Sequence, residues 1–198
     1  MNNFKPRLVT APANDALSLA ELKVYLRIPS AVTDHDTLFN NLILSAIGNA
    51  DAYSGHLGRC LINQVWRTRH ENWCVRFKSP FPDVSAAVLK YTDTDGVEQT
   101  VSSDDYLVYD EFIQMKSTYS YPSLYEETED PVRIEWTCGY GATSAAVPFD
   151  IKTGLCSLVA HWWENPEAVV PNERRVELED TPYAYKAMVA RYGTGFVV

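Results

Sequence analysis

The run from Asp34 to Gly58 constrains this chain more than any other, because its apolar residues repeat cleanly at the period of an α-helix. Phe39, Leu42, Ile43, Ala46, Ile47, Ala50, Tyr53 and Leu57 fall three or four apart and share one stripe, while Asn40, Asn41, Ser45, Asn49 and Ser54 take the other side. Such a helix packs one face and leaves the other in water. Thr33 or Asp34 is placed to cap it, Asp36 sits where the helix dipole favours negative charge, and Gly55 and Gly58 offer left-handed ends.

Three further helices are predicted around it. Ser18-Leu19-Ala20-Glu21 is a capping box with Leu17 and Leu22 at the staple positions, and the helix it starts runs to Arg27, ahead of Pro29. Val147-Pro148-Phe149-Asp150 opens a third helix, with Val147, Ile151, Leu155, Leu158, Val159 and Trp162 as its stripe, and Asn165-Pro166 stops it. Gly154 lies on that face and would let another helix come close; the natural partner is 34–57. Residues 166–179 are charged and proline-bounded, a linker to a last helix after Thr181-Pro182. On that helix Tyr185, Met188, Val189 and Tyr192 share a face, and Gly193-Thr194-Gly195 then releases Phe196, Val197 and Val198, which a partner would bury.

Between the second and third helices the period becomes two. Strands are predicted within Leu61–His70, Trp73–Phe77, Val84–Tyr91, Val97–Val101, Tyr106–Tyr109, Phe112–Met115 and Val132–Trp136, with Trp73, Val75 and Phe77 on one face. Pro80-Phe81-Pro82 forces a corner, and Asp93-Thr94-Asp95-Gly96 is a hairpin turn. The expected fold is α+β: a small bundle of about four helices with an antiparallel β subdomain inserted between the second and third. Its expected parts are an arm at 1–16, irregular or an edge strand; a helical core at 17–60 and 147–165; the β insertion at 61–146; and a linker, helix and tail at 166–198. The loop 117–130 has no period and holds Tyr119, Tyr121 and Tyr125 among acids, either a solvated connection or a partner-facing surface.

Composition narrows function mainly by exclusion. No apolar run nears the roughly 18 residues of a membrane helix, and Met1–Pro6 lacks the apolar segment of a secretion signal, so no membrane association and a cytoplasmic site of assembly are expected. Cys60, Cys74, Cys138 and Cys156 show no metal-ligand spacing and read as reduced thiols among apolar neighbours. A net charge of −9 opposes binding to nucleic-acid phosphates, yet suits a wall that DNA must pass without sticking. No phosphate loop, nucleophile elbow, H-E-x-x-H pair or EF-hand loop is present. His35, His56 and His161 stand in helices, and Asp104-Asp105 and Asp93-x-Asp95 stand in turns, where backbone chemistry explains them. No enzyme, metal or cofactor is expected.

The order of these elements is similar to a known family. Leu19-Ala20-Glu21-Leu22-Lys23-Val24-Tyr25-Leu26-Arg27, then Asp34-His35-Asp36-Thr37-Leu38, Ala50-Asp51-Ala52-Tyr53-Ser54-Gly55 and Leu61-Ile62-Asn63-Gln64-Val65-Trp66 resemble segments of the tailed-phage head–tail connector (adaptor) family, of the DNA-packaging connector type. Tyr91-Thr92-Asp93-Thr94-Asp95-Gly96, Thr137-Cys138-Gly139-Tyr140 and Val159-Ala160-His161-Trp162-Trp163-Glu164-Asn165 follow in the family's order, so the resemblance covers about residues 17–165. The family's usual helix end, tyrosine–glutamate–asparagine–arginine, here reads Trp163-Glu164-Asn165-Pro166.

The resemblance implies a structural virion protein in the neck, between capsid and tail. It would form a ring, expected to be twelvefold, on the portal protein after packaging. The ring would lengthen the channel through which duplex DNA passes without sequence-specific contacts, and would carry a stopper or tail-completion protein. It also implies portal or neighbour contacts from the C-terminal part, assigned to Tyr185, Met188, Tyr192, Phe196, Val197 and Val198 with Arg174 and Arg175 as polar helpers. The alternatives are a tail-completion or neck protein bound to a tail component, a carbohydrate-binding β module using Tyr121 or Tyr125, and a hydrolase using Asp104-Asp105.

Overall fold

The computed structural model describes residues 5–165 and 181–194. The chain builds two compact units by leaving one and returning to it. Asn14–Gly58 and the chain from Thr143 onward form a helical unit, and the chain up to Ala13 with Arg59–Ala142 forms a β unit. The protein is α+β, with seven of its eight described strands lying between the second and third helices.

The helical unit holds α1 (Leu19–Leu26), α2 (Asp36–Ala50), α3 (Phe149–Glu164) and α4 (Tyr183–Tyr192). Helix α1 starts on its capping box: the Glu21 N–H donates to Ser18 Oγ at 3.2 Å and the Ser18 N–H to the Glu21 carboxylate at 2.9 Å. Leu17 and Leu22 are both buried, as a staple requires. Arg27 closes the helix in the left-handed region at φ 58°, which lets the Ile28 N–H reach the Lys23 carbonyl at 2.9 Å. Lys23 itself is buried, donating to the Val32 carbonyl at 2.7 Å and pairing with Asp36, so one ammonium pins the linker and the start of α2 together.

Helix α2 buries Phe39, Ile43, Ala46 and Ala50 and exposes Asn40, Asn41, Ser45 and Asn49 on its opposite side. Both of its ends depart from expectation. Neither Thr33 nor Asp34 caps it; the N-cap is His35, without a side-chain bond, its ring packed 4.8 Å from that of Trp163. The helix also stops at Ala50, although the apolar stripe runs on. Ala52 turns left-handed at φ 56°, and the His56 and Leu57 N–H groups return to the Asn49 and Ala50 carbonyls at 2.8 and 3.1 Å. Leu57 thus reaches the core through a turn.

Helix α3 starts after Pro148, whose carbonyl accepts from Ile151 and Lys152, and buries Ile151, Leu155, Leu158 and Val159. It lies against α2, with Phe39 and Trp163 rings 4.8 Å apart edge to face, and against α4. Gly154 is where α4 comes close. A Cβ there would meet Met188 Sδ at 2.7 Å and Met188 Cβ at 3.0 Å, so the glycine's missing side chain is filled by the methionine.

The β unit contains β1 (Arg7–Thr10), β2 (Gln64–His70), β3 (Arg76–Lys78), β4 (Val84–Thr92), β5 (Glu98–Thr100), β6 (Tyr106–Val108), β7 (Phe112–Met115) and β8 (Val132–Cys138). A five-stranded antiparallel sheet runs β1-β2-β8-β4-β5, and a three-stranded one runs β3-β7-β6. The N-terminal arm is therefore an edge strand. Central β8 shows strict alternation: Val132, Ile134, Trp136 and Cys138 are buried, and Arg133, Glu135 and Thr137 face the other way. The Trp136 indole N–H is satisfied by Thr68 Oγ1 at 2.8 Å. Asp93 organises the β4–β5 turn by accepting from the Asp95 and Val97 N–H groups, while Gly96 takes φ +77°.

The stretch 73–77 is a correction. Only Arg76–Lys78 forms a strand; Phe77 is 2% exposed but Val75 is 63% exposed, so Trp73, Val75 and Phe77 do not share a buried face. The indole N–H of Trp73 bonds the Pro122 carbonyl at 2.8 Å, holding that residue to the loop 117–130 rather than to a ladder.

Candidate interaction surfaces

The buried lysines of the helical unit, Lys23 and Lys152, serve packing. Lys152, buried on α3, extends to Glu21 at 2.7 Å and so joins α3 to the capping box of α1. Burial pushes the Glu21 carboxyl up, but the Lys152 ammonium and the Ser18 N–H and hydroxyl outweigh it, and the group sits below its ordinary value. Burial also holds Cys156 up to about 12, and in the β unit Cys138 up to about 11, so both are inert thiols. Among the described residues no three His, Cys, Asp or Glu side chains converge as a metal site, and no helix is long and apolar enough to cross a membrane. Asp104 and Asp105 lie in a one-turn helix capped by Ser102.

Helix α4, assigned above to partner contacts, divides by residue. Tyr185 and Met188 are 2% and 3% exposed, so their side chains belong to the core of the helical unit itself. The Tyr185 hydroxyl lies 3.0 Å from His56 Nδ1 and donates to the Asn49 carbonyl at 3.2 Å, and burial holds its pKa up to about 12. Tyr192 stays half-exposed, its hydroxyl donating to Asp150 at 3.2 Å beside Arg191. Arg174, Arg175, Phe196, Val197 and Val198 lie outside the described residues.

The tyrosine loop is pinned down. Trp73 packs its ring 5.3, 5.8 and 5.6 Å from those of Tyr91, Tyr119 and Tyr121, and Tyr119 stands edge to face on Tyr121 at 5.2 Å. Burial, with Tyr91, Asp105 and Tyr121 nearby, raises Tyr119 to about 12. Tyr121 is 41% exposed and borders a hollow of about 620 Å³ with Val75, Leu107 and Lys116. Tyr125 lies over Gly96 and donates to Glu127 at 2.7 Å. The loop is thus a fixed surface of the β unit with one aromatic face open.

Two surfaces escaped the sequence reading. On the helical unit, Leu38, Leu42, Ser45, Trp162, Trp163 and Asn165 line a groove of about 670 Å³ between α2 and α3. Leu38 lies off the α2 stripe and is 46% exposed, and that displacement was the available signal. On the β unit, Arg7, Arg67, Arg69 and Arg133 meet Asp130 around a hollow of about 180 Å³. Three strands supply it, so no local motif announced it.

The chain matches no family model and no curated protein. Its fold is that of chains in solved particle structures. It is similar over 98% of both chains to a chain in the neck of an empty gene transfer agent (GTA) particle computed with C6 symmetry, at 23% identity and a TM-score of 0.72. Over the same 98% shares it is similar to a chain in the virion of a native GTA particle, at 22% identity and a TM-score of 0.69. It is likewise similar, at 22% identity and a TM-score of 0.64, to a chain in the neck of a native GTA particle computed with C12 symmetry.

Proposed function

We propose that this protein is a structural component of the neck of a phage-like particle. In finer terms it is the head–tail connector (adaptor) that forms a ring on the portal protein, extends the DNA channel and carries a stopper or tail-completion protein. The observation that supports this most is the extent of the likeness: 98% of each chain is shared with neck chains in particles computed with C6 and C12 symmetry. The family motifs support the connector role independently, since they recur in order from Leu19 to Asn165.

A structural role also fits the side-chain chemistry. Lys23, Lys152, Glu21 and Tyr185 each hold one element to another, and none is left aimed at a cavity as a reacting group. The groove of Leu38 and Trp163, the open face of Tyr121 and the arginine hollow are separate contact surfaces, as a subunit touching several neighbours needs. The negative charge keeps duplex DNA from adhering to a channel made of such subunits.

The decisive experiment mixes the purified full-length chain with purified portal protein and follows both by co-sedimentation and electron microscopy. A ring of this chain stacked on the portal is the expected result. Binding to a tail component with none to the portal would move the protein to the tail side of the neck. Failure to bind either would remove the proposal.

A further inference from the structure

The outer face of the five-stranded sheet carries charge in a pattern that folding by itself disfavours. Arg7 stands directly across from Arg67 in the β1–β2 ladder, and Arg69 directly across from Arg133 in the β2–β8 ladder. Like charges in opposed positions destabilise an antiparallel pair. Here two such pairs sit side by side around one hollow of about 180 Å³.

The neighbouring carboxylates offset this only in part. Arg67 bonds Glu135, Arg69 reaches Asp130 at 3.3 Å, Arg133 reaches Glu98 at 3.1 Å, and Lys90 lies 3.5 Å from both Glu98 and Glu135. Among the described residues these five cations face three carboxylates, a surplus of two positive charges; with the whole chain at −9, the remainder carries −11. A chain this acidic has placed four of its ten arginines where they repel one another. Departures from local rules of this kind mark places built for something other than folding.

We propose that the arginine hollow takes a carboxylate side chain presented by a second copy of this chain, joining neighbours within the ring; the inference rests on the ring reading given above. Guanidinium forks accept carboxylates and phosphates alike, so the occupant is chosen by charge and size. Duplex DNA would have to approach the −11 remainder to place phosphates here, and the hollow has room for a single oxyanion rather than a run of them. A second copy offers carboxylates in quantity, among them the exposed Glu126, Glu127 and Glu129. Closed rings are built from heterologous contacts between two different patches, and an interface of positive hollow against acidic surface offsets the repulsion between copies that each carry −9.

The test uses the full-length chain with Arg7→Glu and Arg69→Gln, each removing one member of a like-charge pair. Ring formation is followed by analytical ultracentrifugation, alone and with portal protein, and melting temperature is read for the unassembled chain. The expected result is opposite movement: melting temperature unchanged or raised, and assembly weakened roughly tenfold or more, the scale of one charge-assisted hydrogen bond. Assembly of either variant at the wild-type level would overturn the proposal. So would a short DNA duplex displacing a fluorescent hexaglutamate peptide from the unassembled chain more effectively than unlabelled peptide does. A wild-type chain that forms no ring even with portal protein present would instead defeat the ring reading, and loss of hexaglutamate binding in Arg7→Glu would still identify the hollow as a carboxylate site.

Discussion

Shortening Met188 to alanine tests whether α4 is part of the fold or a docking element held out for a partner. Met188 is 3% exposed and lies on Gly154, with its Sδ, Cβ and Cγ all within 3.2 Å of where a Cβ at Gly154 would stand. Methionine-to-alanine replacement in a core costs about 2–5 kcal/mol, the upper part applying where the site cannot collapse. Gly154 has no side chain to move into the space, so the upper half of that range is expected. The companion change, Gly154→Ala, gains about 1 kcal/mol of helix propensity but crowds Met188, and overpacking costs about 1–3 kcal/mol. Alone it is therefore neutral to destabilising. Once Met188 is alanine the crowding by Sδ and Cγ is gone and only the Cβ contact at 3.0 Å remains, so the same Gly154→Ala change should be less costly than in the wild-type background. The coupling between the two sites is expected at about 1 kcal/mol or more, within the range for residues in contact. Urea denaturation followed by the helical circular dichroism signal, with each single and the double variant, measures it. If Met188→Ala costs less than about 1 kcal/mol, or Gly154→Ala behaves alike in both backgrounds, α4 does not pack on α3 as described. The outcome also decides how a truncation at residue 181 is to be interpreted, because a chain without α4 loses core as well as any contact its tail makes.

Other consequences are open to simple assays. Glu21 has its carboxyl held below the ordinary value, so its pairing with Lys152 contributes stability that is present above the unfolded value near 4.5 and is lost as pH falls through the folded value; Glu21→Gln should flatten the acid limb of the stability profile measured from pH 3 to 7. Trp73→Ala should release the 117–130 loop from Tyr91, Tyr119 and Tyr121, seen as rapid proteolysis within that loop while the five-stranded sheet stays protected; unchanged cleavage would show that the ring cluster does not hold it. Native alkylation at pH 7.5 should modify Cys74 alone, since Cys60, Cys138 and Cys156 are buried, and labelling of two or more thiols before unfolding would contradict the packing of both units.

Several structural choices that depend on residues a few positions apart were legible in the sequence, although the N-cap of α2 was not. The Ser18–Glu21 box, the Asp93–Gly96 turn, Pro148 at the start of α3 and the three-and-four stripe of α2 all behave as local chemistry requires, because each is settled within one or two turns of chain. The fold class followed from the change of period near Gly58 and its return near Val147. The same reasoning failed where a backbone turn or a distant group outbid the pattern: α2 ends early because the chain just after Ala50 turns back to the Asn49 and Ala50 carbonyls, and Trp73 leaves its strand for a loop nearly fifty residues on.

By itself the sequence determined most of the helix and strand segments and which face of each helix is apolar, though not where α2 ends or that Trp73 lies outside its strand. Tertiary structure alone decided that Tyr185 and Met188 face inward, since an apolar stripe says only that something covers it and not whether that cover is the same chain. It also decided the arginine hollow, because β1, β2 and β8 are brought side by side by ladder pairing between residues more than fifty positions apart, and the register of those pairs sets which charges meet.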